Sequence, residues 1–327
     1  VLRRNSALGT SIADGSGGQN GGMSSPTRVA AFDCGTNSLR LLIADVDDGR
    51  LVDVQRRTEL VRLGHGVDRT GRFDPAALER TLAVTREYAA AAREAGAARL
   101  RFVATSATRD ADDRADFLAA VERILGVTPE TVTGDEEARL SFRGAVSAVD
   151  SARPVLVVDL GGGSTELVLG GAEPEQAHSM DVGSVRLTER HRRAAGPSDG
   201  ERASIRADVR AALAASSVDL AQARSVVGVA ATVLTITAHV LRSTDRAVLE
   251  AALPLADVLA ACDELAALSP AETAALPWVR AGREDVLAAG ALIWGEVLRA
   301  VQEASPGVVD VRSTAHDILD GIALGLA

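Results

Sequence analysis

Lysine is missing from this chain of 327 residues, and all 35 basic side chains are arginines. A phosphate loop of the Walker type needs a lysine to reach the terminal phosphates, so that loop is excluded, as is any Schiff-base lysine. Aromatic residues make up only 2%, with Tyr88 the single tyrosine. Stacking platforms for single-stranded nucleic acid are therefore not expected. Cysteine is scarce as well: Cys34 and Cys262 stand far apart, which points to reduced thiols in a cytoplasmic setting. His65, His178, His191, His239 and His316 form no HExxH, and no Cys-x-x-Cys is present, so a structural zinc site has no support. The net charge of −10 gives the surface no general attraction for polyanions, and a phosphate-rich ligand would need a local basic site. Only SVVGVAATVLTITAHVL (225–241) approaches a membrane span. It is too short and carries hydroxyls and His239, so it reads as a buried strand passing into a buried helix.

What is present suits a folded α/β protein: 46% hydrophobic and 24% charged residues, in a length that favours two domains. The Gly-, Ser- and Asn-rich residues 1–27 lack the apolar core of a signal peptide and are read as a disordered leader, with Met23 as the start. Strands are expected at 28–33, 39–46 and 51–62, then a helix over 74–95 with Asp74 as its cap and Pro75 in its first turn. A strand leading into a Ser/Thr-rich loop covers 98–111, a helix 112–125 and a short strand 128–133. A helix opens at Gly134 and runs to about Val149, followed by strands at 154–159, 165–170 and near 175–181. Helices then dominate (183–193, 200–216, 231–241, 255–267, 283–304 and 315–326), with strands at 225–229 and 308–311. The expected domains are 28–132 and 133–327, with the last helix packing back on the first domain.

One stretch carries a chemical signal. VVDLGGGSTELVLG (Val157–Gly170) reads as strand, glycine turn, strand. Three glycines allow backbone N–H groups to converge on a small anion, and Asp159 at the strand end is placed to hold Mg²⁺, usually through waters. A flexible hairpin with no ligand is the alternative for the segment alone. RVAAFDCGTNSLRLLIADV repeats its pattern: Asp33 and Asp159, Gly35 and Gly161, Ser38 and Ser164, and Leu41 and Leu167 are each 126 positions apart. Two D-x-G-x-x-S turns in register imply duplicated lobes with phosphate-gripping turns across one cleft. The pair resembles the actin, sugar-kinase and heat-shock-chaperone ATPase superfamily.

DCGTNSLRLLIAD, ATSATRDA, TGDEEARLSFRG, VVDLGGGSTEL and MDVGSVRLTE follow one another in this order. Together they resemble the exopolyphosphatase/guanosine-pentaphosphate phosphohydrolase family, from about Arg28 to the C-terminus. The resemblance implies two actin/ribonuclease-H-like α/β domains with a cleft between them, and no additional HD-type helical domain. It implies hydrolysis of a terminal phosphoanhydride with Mg²⁺ (or Mn²⁺), on linear polyphosphate or a phosphorylated guanosine nucleotide, in a homodimer. Nucleic acid and membrane are not expected partners. A nucleoside triphosphate phosphohydrolase, a sensor that binds without turnover and a sugar-kinase-like enzyme stay open as alternatives.

By the same resemblance Glu137, second glutamate of a Glu-Glu-Ala run, orients and deprotonates the attacking water. On residue chemistry alone it equally suits a helix N-terminus. Phosphate contacts are expected from Gly35, Thr36, Asn37, Ser38, Gly161, Gly162, Gly163, Ser164 and Thr165. Thr105, Ser106 and Arg109 match an A-T-x-A-x-R pattern. Arg139 shares a helix face with Arg143, and Arg186 is a further contact from the second lobe. Asp33, Asp159 and Glu166 are the expected carboxylates around the metal, through water rather than directly. Cys34 is read as a packing residue with a protonated thiol. The family's Gly-Thr-x-Thr-Thr run is replaced by Ala230-Ala231-Thr232-Val233-Leu234-Thr235, which leaves only Thr232 as a weak contact.

Overall fold

A computed structural model describes residues 26–191, 198–245 and 248–326. The leader expected over 1–27 therefore lies almost wholly outside the described residues.

Strands β1 (Thr27–Cys34), β2 (Ser38–Asp47), β3 (Arg50–Leu60), β4 (Arg99–Ala104) and β5 (Glu130–Thr131) form one sheet, in the order β3-β2-β1-β4-β5. β1, β2 and β3 form an antiparallel meander, and β4 and β5 join parallel to β1. Strands β6 (Val155–Leu160), β7 (Thr165–Gly170), β8 (Pro174–Met180), β9 (Ser225–Val229), β10 (Leu253–Pro254) and β11 (Asp310–Ser313) build a second sheet ordered β10-β11-β9-β6-β7-β8. Its meander β6-β7-β8 and the parallel strands β9 and β11 repeat the first topology. The short strand β10 is extra and antiparallel to β11.

The duplication extends to single hydrogen bonds. Gly35 N–H donates to Ser38 O at 3.0 Å, and Gly161 N–H donates to Ser164 O at the same distance. β1 and β6 are central strands buried nearly throughout, as their continuous apolar runs require when helices cover both faces.

Helices Pro75–Glu94 and Arg114–Leu125 cover the outer face of the first sheet, packing Tyr88, Phe117 and Val121 against Phe32, Leu41 and Phe102. Asp74 caps the first of these, accepting from Ala77 N–H at 2.9 Å. The second sheet packs against helices Asp199–Ala215, Leu255–Ala267 and Leu287–Ala304 around Trp294.

Two further helices cross over. Gly134–Ala148 follows the first sheet but lays Ala138, Phe142 and Ala145 on the second. Ile318–Leu324 ends the second half but packs Ile318, Leu319 and Ile322 on Val29, Leu42 and Val103 of the first. The two helices touch backbone to backbone. A Cβ on Gly144 would meet Asp317 O at 1.9 Å, and one on Gly321 would meet Leu140 O at 2.1 Å, so only glycine permits this approach.

The helices Val67–Thr70 and Pro270–Ala274 and the strand β10 have no counterpart in the sequence reading, and three expected elements differ from it. The expected Ser/Thr-rich loop closes into a short helix, Ser106–Asp110. The long helix starts at Leu287, because 280–286 are taken up by turns around Gly282 at φ +86°. The final helix starts at Ile318, because Thr314 N–H still donates to Gly228 O and Asp317 then caps the helix in a capping box with Asp320. Residues 225–241 form β9 and a helix over Ala230–Leu241. Among the described residues no helix is long and apolar enough to cross a membrane.

Candidate active site

Between the two sheets lies a cavity of about 740 Å³. The two turns form part of its wall: Gly35, Thr36, Asn37 and Ser38 from one sheet, Gly161, Gly162, Gly163 and Ser164 from the other.

Backbone hydrogen bonds fix the direction of both turns. Gly161 O accepts from Ser184 N–H (3.1 Å), Gly162 O from Val185 and Arg186 N–H (2.8 and 3.0 Å), and Gly163 O from Arg186 Nε (2.6 Å). The donors belong to the first turn of the helix Ser184–His191, whose N–H groups lack intrahelical acceptors. In a trans peptide the following N–H points opposite to the carbonyl, so Gly162, Gly163 and Ser164 turn their N–H groups away from that helix. The first turn is held likewise, with Thr36 O accepting from Gly64 N–H (2.8 Å) and Asn37 O from Arg62 N–H (2.9 Å). The Asn37 amide nitrogen is buried at the cavity and has no partner, a donor waiting for an acceptor.

Glu137 stands in the first turn of the helix Gly134–Ala148, where Thr133 is the cap, accepting from Glu136 N–H at 3.2 Å. Its carboxylate is buried, lines the cavity and accepts from Arg109 Nη1 at 2.6 Å. Arg109 is braced in turn by Val132 O at 3.1 Å. Burial pushes the Glu137 carboxyl above its ordinary range; Arg109 opposes the shift and nearby Asp33 adds to it.

One turn further along the helix, Ser141 donates to Asp159. Burial and then Asp317 push the Asp159 carboxyl up to about 7. Glu166 faces Asp159 across β6 and β7 and accepts from Ser179 Oγ at 2.7 Å. Burial, Glu137 and Asp159 hold it well above the usual carboxylate range. Asp33 is also raised, by burial, against the pull of Arg40. Burial pushes the Cys34 thiol up, so it stays protonated.

Not every expected residue reaches the cavity wall. Asp33, Thr105, Ser106, Glu137 and Asp159 line it together with both turns. Thr165 is buried in β7 and donates to Val182 O at 2.6 Å, and Glu166 sits behind Asp159. Arg139 is exposed and donates only to Pro174 O at 3.4 Å. Two positions along a helix is about 200° of rotation, so Arg139 cannot share a face with Glu137. Arg186 is tied to Asp68, Asp110, Ser106 and Gly163, outside the cavity lining.

The structure adds residues that the motifs did not indicate. Arg40, on β2 beside Asp33, donates Nε to Asp33 at 2.7 Å and Nη1 to Asp317. Burial pulls this guanidinium down, but Asp317 and Asp33 outweigh it and hold it above its ordinary value. Arg40 stands 126 positions before Glu166, so the duplicated hairpins carry a cation in one copy and an anion in the other. Farther out, Arg56, Arg280 and Arg283 also line the cavity, with Ala230, Ala231, Leu234 and Leu249 as an aliphatic wall. Burial, then Arg40 and Arg280, lower Arg283 to about 10, the mark of a crowded cationic end. Ala230 holds the left-handed conformation (φ +73°), which favours glycine, one residue before Ala231, where the family run has its glycine.

All candidate metal donors are hard carboxylate oxygens, and the raised carboxyls mark more buried negative charge than Arg40 and Arg109 offset. This set fits a divalent cation of the Mg²⁺ type. Among the described residues no three His, Cys, Asp or Glu side chains are arranged to hold one ion by themselves. Water and phosphate oxygens would have to supply most of the coordination, as is usual for Mg²⁺.

Comparison with known proteins agrees with this architecture. The pattern of the Ppx/GppA phosphatase family matches residues 42–319. Exopolyphosphatase 2 of Mycobacterium tuberculosis is 46% identical over 316 residues, covering 92% of this chain and 99% of that protein. The crystal structure of an exopolyphosphatase-like protein superimposes with a TM-score of 0.89 at 41% identity, covering 92% of this chain and 98% of the other. The Ppx/GppA family member of Aquifex aeolicus gives a TM-score of 0.75 at 26% identity, covering 91% and 97%.

Proposed function

Since this chain belongs to the Ppx/GppA phosphatase family, we propose that it is an exopolyphosphatase, releasing terminal phosphate from linear polyphosphate. The observation that carries the reading is the position of Glu137: a buried carboxylate, fixed by Arg109, on the wall shared by two duplicated phosphate turns.

The terminal phosphoryl group is held by the N–H groups of both turns, with Asn37 and the hydroxyls of Thr36, Ser38 and Ser164 as further donors. Glu137 accepts a proton from the attacking water, whose oxygen bonds to the terminal phosphorus as the bridging P–O bond breaks. Orthophosphate leaves, and the chain is one unit shorter. A carboxyl raised by burial is a stronger base than an ordinary one, which suits this task. Asp159 is the residue to hold Mg²⁺ or Mn²⁺, with Glu166 behind it and Asp33 on the cavity wall from the first sheet. Such an ion would offset the charge developing on the phosphoryl oxygens. Arg283, Arg280 and Arg56 supply the local basic site that a net charge of −10 makes necessary, along the path of the remaining chain.

Hydrolysis of guanosine pentaphosphate or of nucleoside triphosphates is the second reading. The cavity volume favours it, as does an aliphatic wall of Ala230, Ala231, Leu234 and Leu249 that suits a base without stacking. Phosphate release from long polyphosphate, short polyphosphate, guanosine pentaphosphate and ATP, measured side by side with Mg²⁺, separates the two. Preferential release from polyphosphate is expected; preference for the nucleotides would transfer the assignment, and release from none would favour a sensor. A homodimer in the cytoplasm is proposed with this function, and sedimentation of the purified chain tests the dimer.

A further inference from the structure

The helix Ser184–His191 presents Arg186, Glu189 and Arg190 at i, i+3 and i+4, on one face, and that face meets the half of the molecule built on the first sheet. Arg186 donates Nε to Gly163 O (2.6 Å) and Nη2 to Ser106 Oγ (3.1 Å), and pairs with Asp68 (2.5 Å) and Asp110. Arg190 donates to Asp68 at 3.1 Å. Glu189 accepts from Gly66 N–H at 3.0 Å and meets His65 Nδ1 at 2.8 Å. Asp68, Asp110, His65, Gly66 and Ser106 all belong to the first half.

The Arg186 side chain is only 10% exposed, and its donors are almost fully used inside the protein, which leaves little for a phosphate. What it holds is the closest approach between the turns. A Cβ on Gly163 would meet Ser106 Oγ at 2.5 Å and Thr36 Oγ1 at 2.6 Å, so the second glycine turn is seated directly against the first turn and the Ser106 helix. By taking Gly163 O, Arg186 also fixes the peptide whose N–H, that of Ser164, faces away from it.

We propose that Arg186 is a positioning residue and not a substrate ligand. It clamps the second glycine turn onto the first half of the molecule and holds both turns in register with Glu137. Asp68 and Asp110 are the other jaw. The kinetic consequence rests on the phosphohydrolase reading above; the clamp itself does not.

The test compares Arg186→Ala, Arg186→Lys, the pair Asp68→Asn/Asp110→Asn, and the combination of Arg186→Ala with that pair, all in the full chain. Misplacing the turns by about 1 Å is expected to lower kcat on polyphosphate by about 10- to 100-fold, with KM changed by less than about 3-fold. The combined variant should lose less than the sum of Arg186→Ala and the aspartate pair, since both remove the Arg186–Asp68 and Arg186–Asp110 pairs. Arg186→Lys should recover part of kcat. Amide exchange of Gly162, Gly163, Ser164 and Gly66 without substrate should quicken alike in Arg186→Ala and in the aspartate pair. Arg186→Ala raising KM at unchanged kcat, with effects that add to those of the aspartates, would make Arg186 a ligand and overturn the clamp. Unchanged amide exchange would overturn it as well. If the wild-type chain releases phosphate from no polyphosphate, the functional reading fails and the exchange measurement still decides the clamp. Should Arg186→Ala not fold, Arg186→Lys and the aspartate pair carry the same comparison.

Discussion

Asp159 joins the chemistry of the site to the stability of the chain. Burial and Asp317 push its native carboxyl up to about 7, whereas an unfolded aspartate titrates at about 4. Between these values the native state holds a proton that the unfolded chain has lost. Stability contributed by this group is therefore complete at acid pH and falls as pH rises through that window, by about 1.4 kcal/mol per pH unit. Asp159→Asn removes the buried charge. The expected outcome is a higher Tm than wild type at pH 8, an advantage that shrinks as pH falls from about 7 and is gone below about pH 4, together with a loss of phosphate release. Thermal unfolding across pH checks it, and equal pH profiles for the two proteins would contradict it. Added Mg²⁺ should narrow the difference by stabilising the wild type, since an ion that binds only the native state favours it by mass action.

At the scale of elements, the weak point is the crossing of the helices Gly134–Ala148 and Ile318–Leu324. Gly144→Ala would place a methyl group 1.9 Å from Asp317 O, which the two helices can relieve only by separating. A destabilisation of about 1–3 kcal/mol is expected from this overpacking. Activity should fall further than stability alone requires, because Glu137 lies on one helix and Asp317 caps the other. Urea unfolding and phosphate release on the same preparation check both parts.

The two helices also show what was legible in advance. Gly134–Ala148 was found because its cap, its Glu-Glu-Ala start and its apolar face are all local signals. Asp317 carries no such local signal, since its value comes from a partner, Arg40, 277 positions away. Arg40 itself reads as an ordinary polar residue of a strand. Its offset of 126 from Glu166 was the available clue. Arg56, Arg280 and Arg283 come together only when the cavity forms, and no spacing announces them.

The molecule as a whole is a duplicated fold whose halves have diverged in charge. Both turns keep the same hydrogen bond, Gly35 to Ser38 and Gly161 to Ser164, so both retain the geometry that presents N–H groups to an anion. Asp33 is covered by the Arg40 guanidinium, whereas Asp159 faces Glu166 and shares its excess charge. The second half is thus the side fitted for a cation, the first the side that supplies its own. Glu137 belongs to neither hairpin; it sits on the helix that passes from the first sheet to the second, where one carboxylate can serve a group held by both turns.

Glu137→Gln tests this division of labour most directly, with phosphate release from polyphosphate and equilibrium binding of the same polyphosphate measured on one preparation. The amide keeps the size of the side chain and cannot accept the proton. The expected result is a fall in turnover of at least about 100-fold, with binding changed by no more than a few-fold. Turnover close to wild type in Glu137→Gln would show that another group activates the water and would contradict the assignment.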